Sequence, residues 1–428
     1  MDASSGLPSC ALSPTYLSLV PSSEAPLCVD QQTMSLPVSG DPNFPANLAI
    51  KPSTRAVIRG SLVGTADRGF GSRDGDDQDA AQDIETYGIA GRTWEAAYLL
   101  RLYLQPPSPS PSPASPLYDP PCPLFLPPSS SSSSSPSSSD LVSKRTILEI
   151  GSGTGYTSLS LAPHLSSRDT LVLTDLENVC PLLEKNLGAA RERWRRRTGP
   201  PEEKEEPRVL VRPLPWGAPS FLALLSAEGL RPDLILASDL VYFPFLYPPL
   251  LRTLIGLTEP REGGRAPTVV WSYKIRSLVR EQPFWEAFGR WFAFEAVQVG
   301  TLDRASESSP PEATCTAAPT APARVGETRA EGSRPSRTWT RFGAAVLSSQ
   351  SSSSSPSMSS PDETDELYIF LCHRRPSTYG AYSRLGLDSE GGEGVSDEDL
   401  MLGRNGAEGE GEGSGRFEEM LMGGLEWD

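Results

Sequence analysis

Ten residues, Thr146 to Gly155, read TILEIGSGTG and constrain the chain more than any other stretch. An apolar, β-branched run that ends in an acid and then turns through glycines spells a strand, a tight loop and a helix start. Gly151, Gly153 and Gly155 allow backbone angles that side chains disfavour, so the loop's amides can approach a ligand at a helix N-terminus. Such a loop is expected to bind a nucleotide-like or carboxylate-bearing molecule within an α/β fold; the alternative is an ordinary strand-to-helix turn.

The rest of the folded region continues that pattern. Strands are predicted at Leu171–Asp175, Arg208–Val211, Asp233–Ser238, Pro267–Tyr273, Phe294–Val299 and Glu366–Cys372. Helices are predicted at Leu176–Ala190, Phe245–Leu257 and Leu278–Trp291, and one upstream around Trp94, stopped by Gln105-Pro106-Pro107. The alternation implies a mostly parallel sheet covered on both faces. No convincing helix separates the last two strands, which are therefore predicted to pair antiparallel.

Much of the 428-residue chain does not fit such a sheet. It holds 43 Pro and 37 Gly, and serine runs occupy Ser129–Ser135 and Ser351–Ser355. Residues 1–82 are read as largely disordered, with short strands near Ala56–Val63, and residues 83–375 as the folded domain. Low-complexity inserts interrupt the domain at 107–140 and 301–361. Residues 376–428 carry 13 acids against 3 bases within a net charge of −16 and are read as an acidic disordered tail. That tail is a solubilising segment or, alternatively, an attractor for a basic protein.

Several functions are disfavoured by composition. An acidic chain lacks the basic face that phosphate binding needs, and the RERWRRR run at Arg191–Arg197 is read as a helix C-terminus answered by Glu202, Glu203, Glu205 and Glu206, so no nucleic acid is expected. Six scattered cysteines and two histidines offer no metal or disulfide framework. No signal peptide or long apolar span is read, so no membrane is expected, and a cytoplasmic location, also nuclear, is the default.

In an open α/β sheet the ligand lies beyond the carboxyl ends of the strands. Those ends carry Gly151, Ser152 and Gly153, then Asp175, then Trp216 in PLPWG, then Ser238, Asp239 and Tyr242. Asp175 is placed as an acid would be to accept both ribose hydroxyls, or else caps the next helix. Trp216 offers a flat surface for an adenine or packs in the core. Asp239 is read as facing the cleft, because an acid at the end of an apolar strand is costly to bury alone. A dinucleotide fingerprint would need a small residue where Tyr156 stands. G-x-G-x-G after an acid is instead the form found in S-adenosylmethionine enzymes.

Together, Trp94 in TWEAAYLL, LEIGSGTG, LTDLENVCPLLEKN, LPWG, ASDLVY and the late YIFLCHRR resemble the family-16 seven-β-strand methyltransferases, a group containing many protein-lysine methyltransferases. The resemblance implies a Rossmann-like seven-stranded sheet with helices on both faces and an antiparallel last strand. It implies that Trp94, Gly151, Ser152, Gly153, Asp175, Trp216 and Ser238 contact S-adenosylmethionine. Asp239 and Tyr242 match the family's acid-x-x-aromatic motif beside the acceptor amine, with Asp239 orienting the amine and Tyr242 and Phe243 forming an aromatic wall. The expected activity is transfer of a methyl group to a lysine of a protein, of basic character such as a translation factor, by a monomer. A small amine as acceptor and a non-catalytic adaptor are the alternatives, and the long inserts leave the substrate open.

Overall fold

A computed structural model of the chain describes residues 81–107, 115, 117–125, 144–198, 206–218, 220–260, 264–302, 337–344, 367–386, 394–404 and 417. Residues 1–80 of the N-terminal region read as largely disordered, including the short strands predicted near Ala56–Val63, lie outside the described residues, whereas Ala81 and Gln82 open a helix. The helical elements that matter below are α1 (Ala81–Tyr87), α2 (Glu95–Tyr103), α3 (Tyr156–Leu161), α4 (Cys180–Thr198), α5 (Ser220–Ala227), α6 (Tyr247–Leu257), α7 (Leu278–Trp291), α8 (Ala381–Arg384) and α9 (Asp397–Met401). The strands are β1 (Leu117–Asp119), β2 (Thr146–Ile150), β3 (Thr170–Asp175), β4 (Arg208–Pro213), β5 (Leu234–Ser238), β6 (Thr268–Lys274), β7 (Phe292–Ala296), β8 (Gln298–Leu302), β9 (Arg337–Arg341) and β10 (Leu367–Arg374).

Seven strands form the main sheet in the order β4-β3-β2-β5-β6-β10-β7. β2, β3, β4, β5 and β6 pair in parallel, and β10 runs antiparallel to both neighbours, β6 and β7. Each central strand supplies both hydrophobic layers by simple alternation. Leu148, Val172, Ile235, Ala237, Trp271 and Phe370 point to the face covered by α6 and α7, while Ile147, Leu171, Leu173, Leu236, Val270 and Ile369 point to the face covered by α2, α3 and α4. That two-sided burial explains the near-continuous apolar strands in the sequence.

The predicted sixth strand is two strands. Val297 donates its amide to Ile369 O at 2.8 Å and accepts Phe342 N at 3.0 Å. The chain turns there from the main sheet into a small antiparallel sheet, β1-β8-β9. β1 and β9 come from the two segments read as inserts, so both inserts contribute ordered strands at these positions.

The tail is also not wholly disordered. Leu400 in α9 is fully buried, Trp291 Nε1 donates to Leu400 O at 3.1 Å, and Arg252 pairs with Asp397 at 2.7 Å. Farther on, Phe417 is 1% exposed and stacks on Trp285, ring centres 5.2 Å apart. A few apolar residues in an acidic background suffice to seat these positions on the domain, and composition averaged them away.

Candidate active site

Chain order around the sheet reverses at β2, since β3 and β4 lie on one side of it and β5 and β6 on the other. The crevice at their carboxyl ends is the topological switch point, where ligands bind in such sheets. The glycine loop follows β2 at that point. Gly151 has φ +59°, and a Cβ there would sit 2.6 Å from Leu240 Cδ2 and 3.1 Å from Trp216 Cζ2. Only glycine allows that approach, which brings three sequence-predicted regions together.

The loop is pinned by β3. Ser152 N donates to Thr174 O at 2.9 Å, Thr174 N donates back to Ser152 Oγ at 3.0 Å, and Gly153 N donates to Asp175 Oδ2 at 2.7 Å. Asp175 Oδ1 accepts Leu176 N at 2.8 Å, so each carboxylate oxygen holds one amide and keeps a further lone pair. Burial raises the Asp175 carboxyl, and its two amide donors oppose the rise. Tyr242 is half-buried, and its phenol is raised by burial first and then by the negative charge of Asp175. Tyr242, Phe243 and Phe245 form a row of rings, with centres 4.9 Å and 5.4 Å apart, and Phe245 is 72% exposed.

Asp239 departs from its sequence reading. Its backbone has φ +63°, alone among the described non-glycine residues, and Asp239 N donates to Ser272 O at 2.9 Å. Its side chain is only 3% exposed, because Arg276 grips both carboxylate oxygens with its two terminal nitrogens. The physical premise was right and the conclusion incomplete: the acid is buried, and a partner 37 positions later neutralises it. Arg276 continues to Glu95 Oε2 at 3.5 Å, and Lys274 Nζ holds Glu95 Oε1 at 3.1 Å. Arg276, Lys274 and Glu95 were missed by sequence reasoning, since no local pattern says which charges meet across the sheet.

Trp94 immediately precedes α2 without capping it through its side chain, donates Nε1 to Ile89 O at 3.1 Å and has its ring centre 5.1 Å from the Arg276 guanidinium. Ser238 ends β5 with its hydroxyl buried and without a hydrogen-bond partner. An orphaned hydroxyl, a glycine cradle and a carboxylate with spare acceptor capacity suit a ligand rich in hydroxyl and amine groups.

Beneath the loop, Glu149 is 2% exposed, and burial raises its carboxyl to about 7. A raised folded-state value means this group's contribution is complete below the unfolded value of 4.5 and is lost as pH rises through about 7. Glu149→Gln is expected to remove a fall in stability of on the order of 3 kcal/mol between pH 4.5 and 8. Urea unfolding of the ligand-free protein and the variant across that range checks it.

A family model described as lysine methyltransferase matches residues 72–290, just over half of the chain. The chain belongs to the lysine methyltransferase family. S-adenosylmethionine is accordingly its cofactor, and the donors and cradle just described fit that molecule. Similar proteins include protein-lysine N-methyltransferase EFM6 of Saccharomyces cerevisiae, 30% identical over 140 residues covering 30% of this chain and 50% of that protein. Human protein-lysine N-methyltransferase EEF2KMT is 29% identical over 149 residues, covering 34% of this chain and 43% of that one. The chain thus spans about half the length of the curated relatives it matches. Among solved structures, an O-methyltransferase from Bacillus cereus in complex with SAH shares 16% identity at a TM-score of 0.27, over 59% of this chain and 86% of that one. Among the described residues, no helix is long and apolar enough to cross a membrane.

Proposed function

We propose that the chain transfers a methyl group to the side-chain amine of a lysine in a protein, with S-adenosylmethionine as donor. The observation that carries the reading is the close approach of Gly151 to Leu240, the residue after Asp239, and to Trp216, which joins the glycine loop to the acceptor motif. Trp94, Gly151, Ser152, Gly153, Asp175, Trp216 and Ser238 would hold the donor: backbone amides and the Asp175 carboxylate on polar groups, the Trp216 face on a flat ring.

S-adenosylmethionine supplies an electrophilic sulfonium methyl, so the protein's task is alignment more than activation. A lysine amine must first lose a proton, which costs about 4 to 5 kcal/mol at pH 7 from its ordinary value near 10.4. Desolvation in the crevice lowers that cost by disfavouring the ammonium. Tyr242 stays a neutral phenol, so its ring can face a cation without adding a charge. Asp239, held by Arg276, orients the amine and does not serve as a free base. The exposed Phe245 ring extends the apolar surface beyond what a small amine would need, which favours a protein acceptor. Its basic character, a cytoplasmic or nuclear site of action and a monomeric state belong to the same proposal.

Methyl transfer from tritiated donor into lysate, resolved into protein and small-molecule fractions, tests the reading. Label confined to small molecules would overturn it. Tyr242→Ala is expected to lower transfer about tenfold, whereas Tyr242→Phe keeps the ring and stays within about threefold. Equal losses in the two variants would assign the role to the hydroxyl instead.

A further inference from the structure

The four charges at the sheet's carboxyl edge are costly to bury. Glu95, Asp239, Lys274 and Arg276 side chains are exposed by 1%, 3%, 6% and 5%. Buried ion pairs seldom stabilise more than apolar packing of the same volume, so the benefit of such a cluster is better sought in geometry. Its location agrees, because Arg276 reaches two elements that the site must keep in register. On one side it holds Asp239, whose left-handed backbone is itself strained at the end of β5. On the other it reaches Glu95 and lies against the ring of Trp94.

Arg276 is in turn fixed from behind. Its backbone N–H and that of Ser277 donate to the two oxygens of Glu281, each at 3.1 Å, and Tyr273 Oη donates to Glu281 Oε2 at 2.5 Å. Both sides of the fork are therefore preset before any ligand arrives.

We propose that Arg276 is a two-sided positioning residue that clamps the cofactor-side corner, Trp94–Glu95, to the acceptor-side carboxylate of Asp239. The inference rests on the function proposed above and adds a coupling between the two halves of that site. Lysine cannot replace arginine here, because one ammonium cannot span both Asp239 oxygens and still reach Glu95.

The test uses the full chain with Arg276→Lys, Arg276→Met, Glu95→Gln and Asp239→Asn. Affinity for S-adenosylhomocysteine is read by calorimetry, and initial rates against S-adenosylmethionine are read with lysate protein as acceptor. Arg276→Lys is expected to weaken cofactor binding about tenfold and to lower kcat at saturating cofactor by tenfold or more, since displacement of a reacting group by about 1 Å costs on the order of 100-fold. Glu95→Gln moves chiefly the cofactor affinity and Asp239→Asn chiefly kcat. Glu95→Gln added to Arg276→Lys costs little more than Arg276→Lys alone, the non-additivity of a shared network.

Circular dichroism and melting curves separate clamp from scaffold. Wild-type affinity and kcat in cooperatively folded Arg276→Lys would overturn the proposal, as would losses that disappear on cooling below the melting transition. If Arg276→Met fails to fold, Arg276→Lys decides alone. Wild-type protein that binds cofactor but labels no protein would sink the proposed function, while the affinity arm would still read the clamp.

Discussion

Replacing Asp175 with alanine is expected to weaken S-adenosylhomocysteine binding by on the order of 100-fold or more, with the fold retained. The carboxylate carries two loads. It holds the glycine loop through Gly153 N at 2.7 Å and its own strand end through Leu176 N at 2.8 Å, and its remaining lone pairs are the ones assigned to the ribose hydroxyls. Each lost hydrogen bond from a ribose hydroxyl to the charged carboxylate costs about 1.5 to 3 kcal/mol. Two such losses already exceed the roughly 2.8 kcal/mol that a 100-fold change represents. Asp175→Asn puts a donor where one of the two amides needs an acceptor, so it should fall between alanine and wild type. Calorimetry on the three proteins checks the order, and an Asp175→Ala variant that binds as wild type would remove this acid from the site.

The second large effect concerns stability, at the far end of β10. Arg374 is 2% exposed, and burial pushes its guanidinium down to about 10, which leaves it charged at neutral pH. It donates to Ile255 O at 2.9 Å and Thr378 O at 2.7 Å, and lies 5.4 Å from the centre of Trp291. One side chain thereby ties the antiparallel strand to the C-terminus of α6 and to the segment that leads into α8. Arg374→Met keeps much of the stem and abandons buried carbonyls, so a loss of about 3 kcal/mol or more is expected. For a domain of this size that lowers the melting temperature by about 10 °C. A shift of less than about 2 °C in thermal melting would contradict the assignment.

These two residues differ in how visible they were beforehand. The place of Asp175 at the end of β3 was legible because strand periodicity fixes where a strand ends. The positions of the glycine loop after β2 and of Ser238 at the end of β5 were legible for the same reason, and the antiparallel β10 from the missing crossover helix. Arg374 and Arg276 were not. Their meaning lies in partners far away in sequence, Arg276 with Glu95 181 positions distant and Arg374 with Ile255 119 positions distant. Periodicity carries no information on such pairings.

Asp239 sits between the two cases. Its position was readable and its exposure was not, because whether an acid at a strand end is buried depends on a counter-charge that only the folded sheet supplies. The same limit applies to β7 and β8, a single apolar run whose break at Val297 is set by pairing with Ile369 and Phe342. It applies also to α9 and Phe417, where isolated apolar residues join the core on the α6–α7 face of the sheet.

The chemical identity of the methylated group is the most direct test of the whole reading. Protein labelled by the wild-type chain with tritiated S-adenosylmethionine is hydrolysed to amino acids and separated by chromatography. The expected result is label co-eluting with Nε-methylated lysine and reduced at least tenfold when Asp239→Asn replaces wild type. Label on any other amino acid, or protein label that Asp239→Asn leaves unchanged, would contradict it.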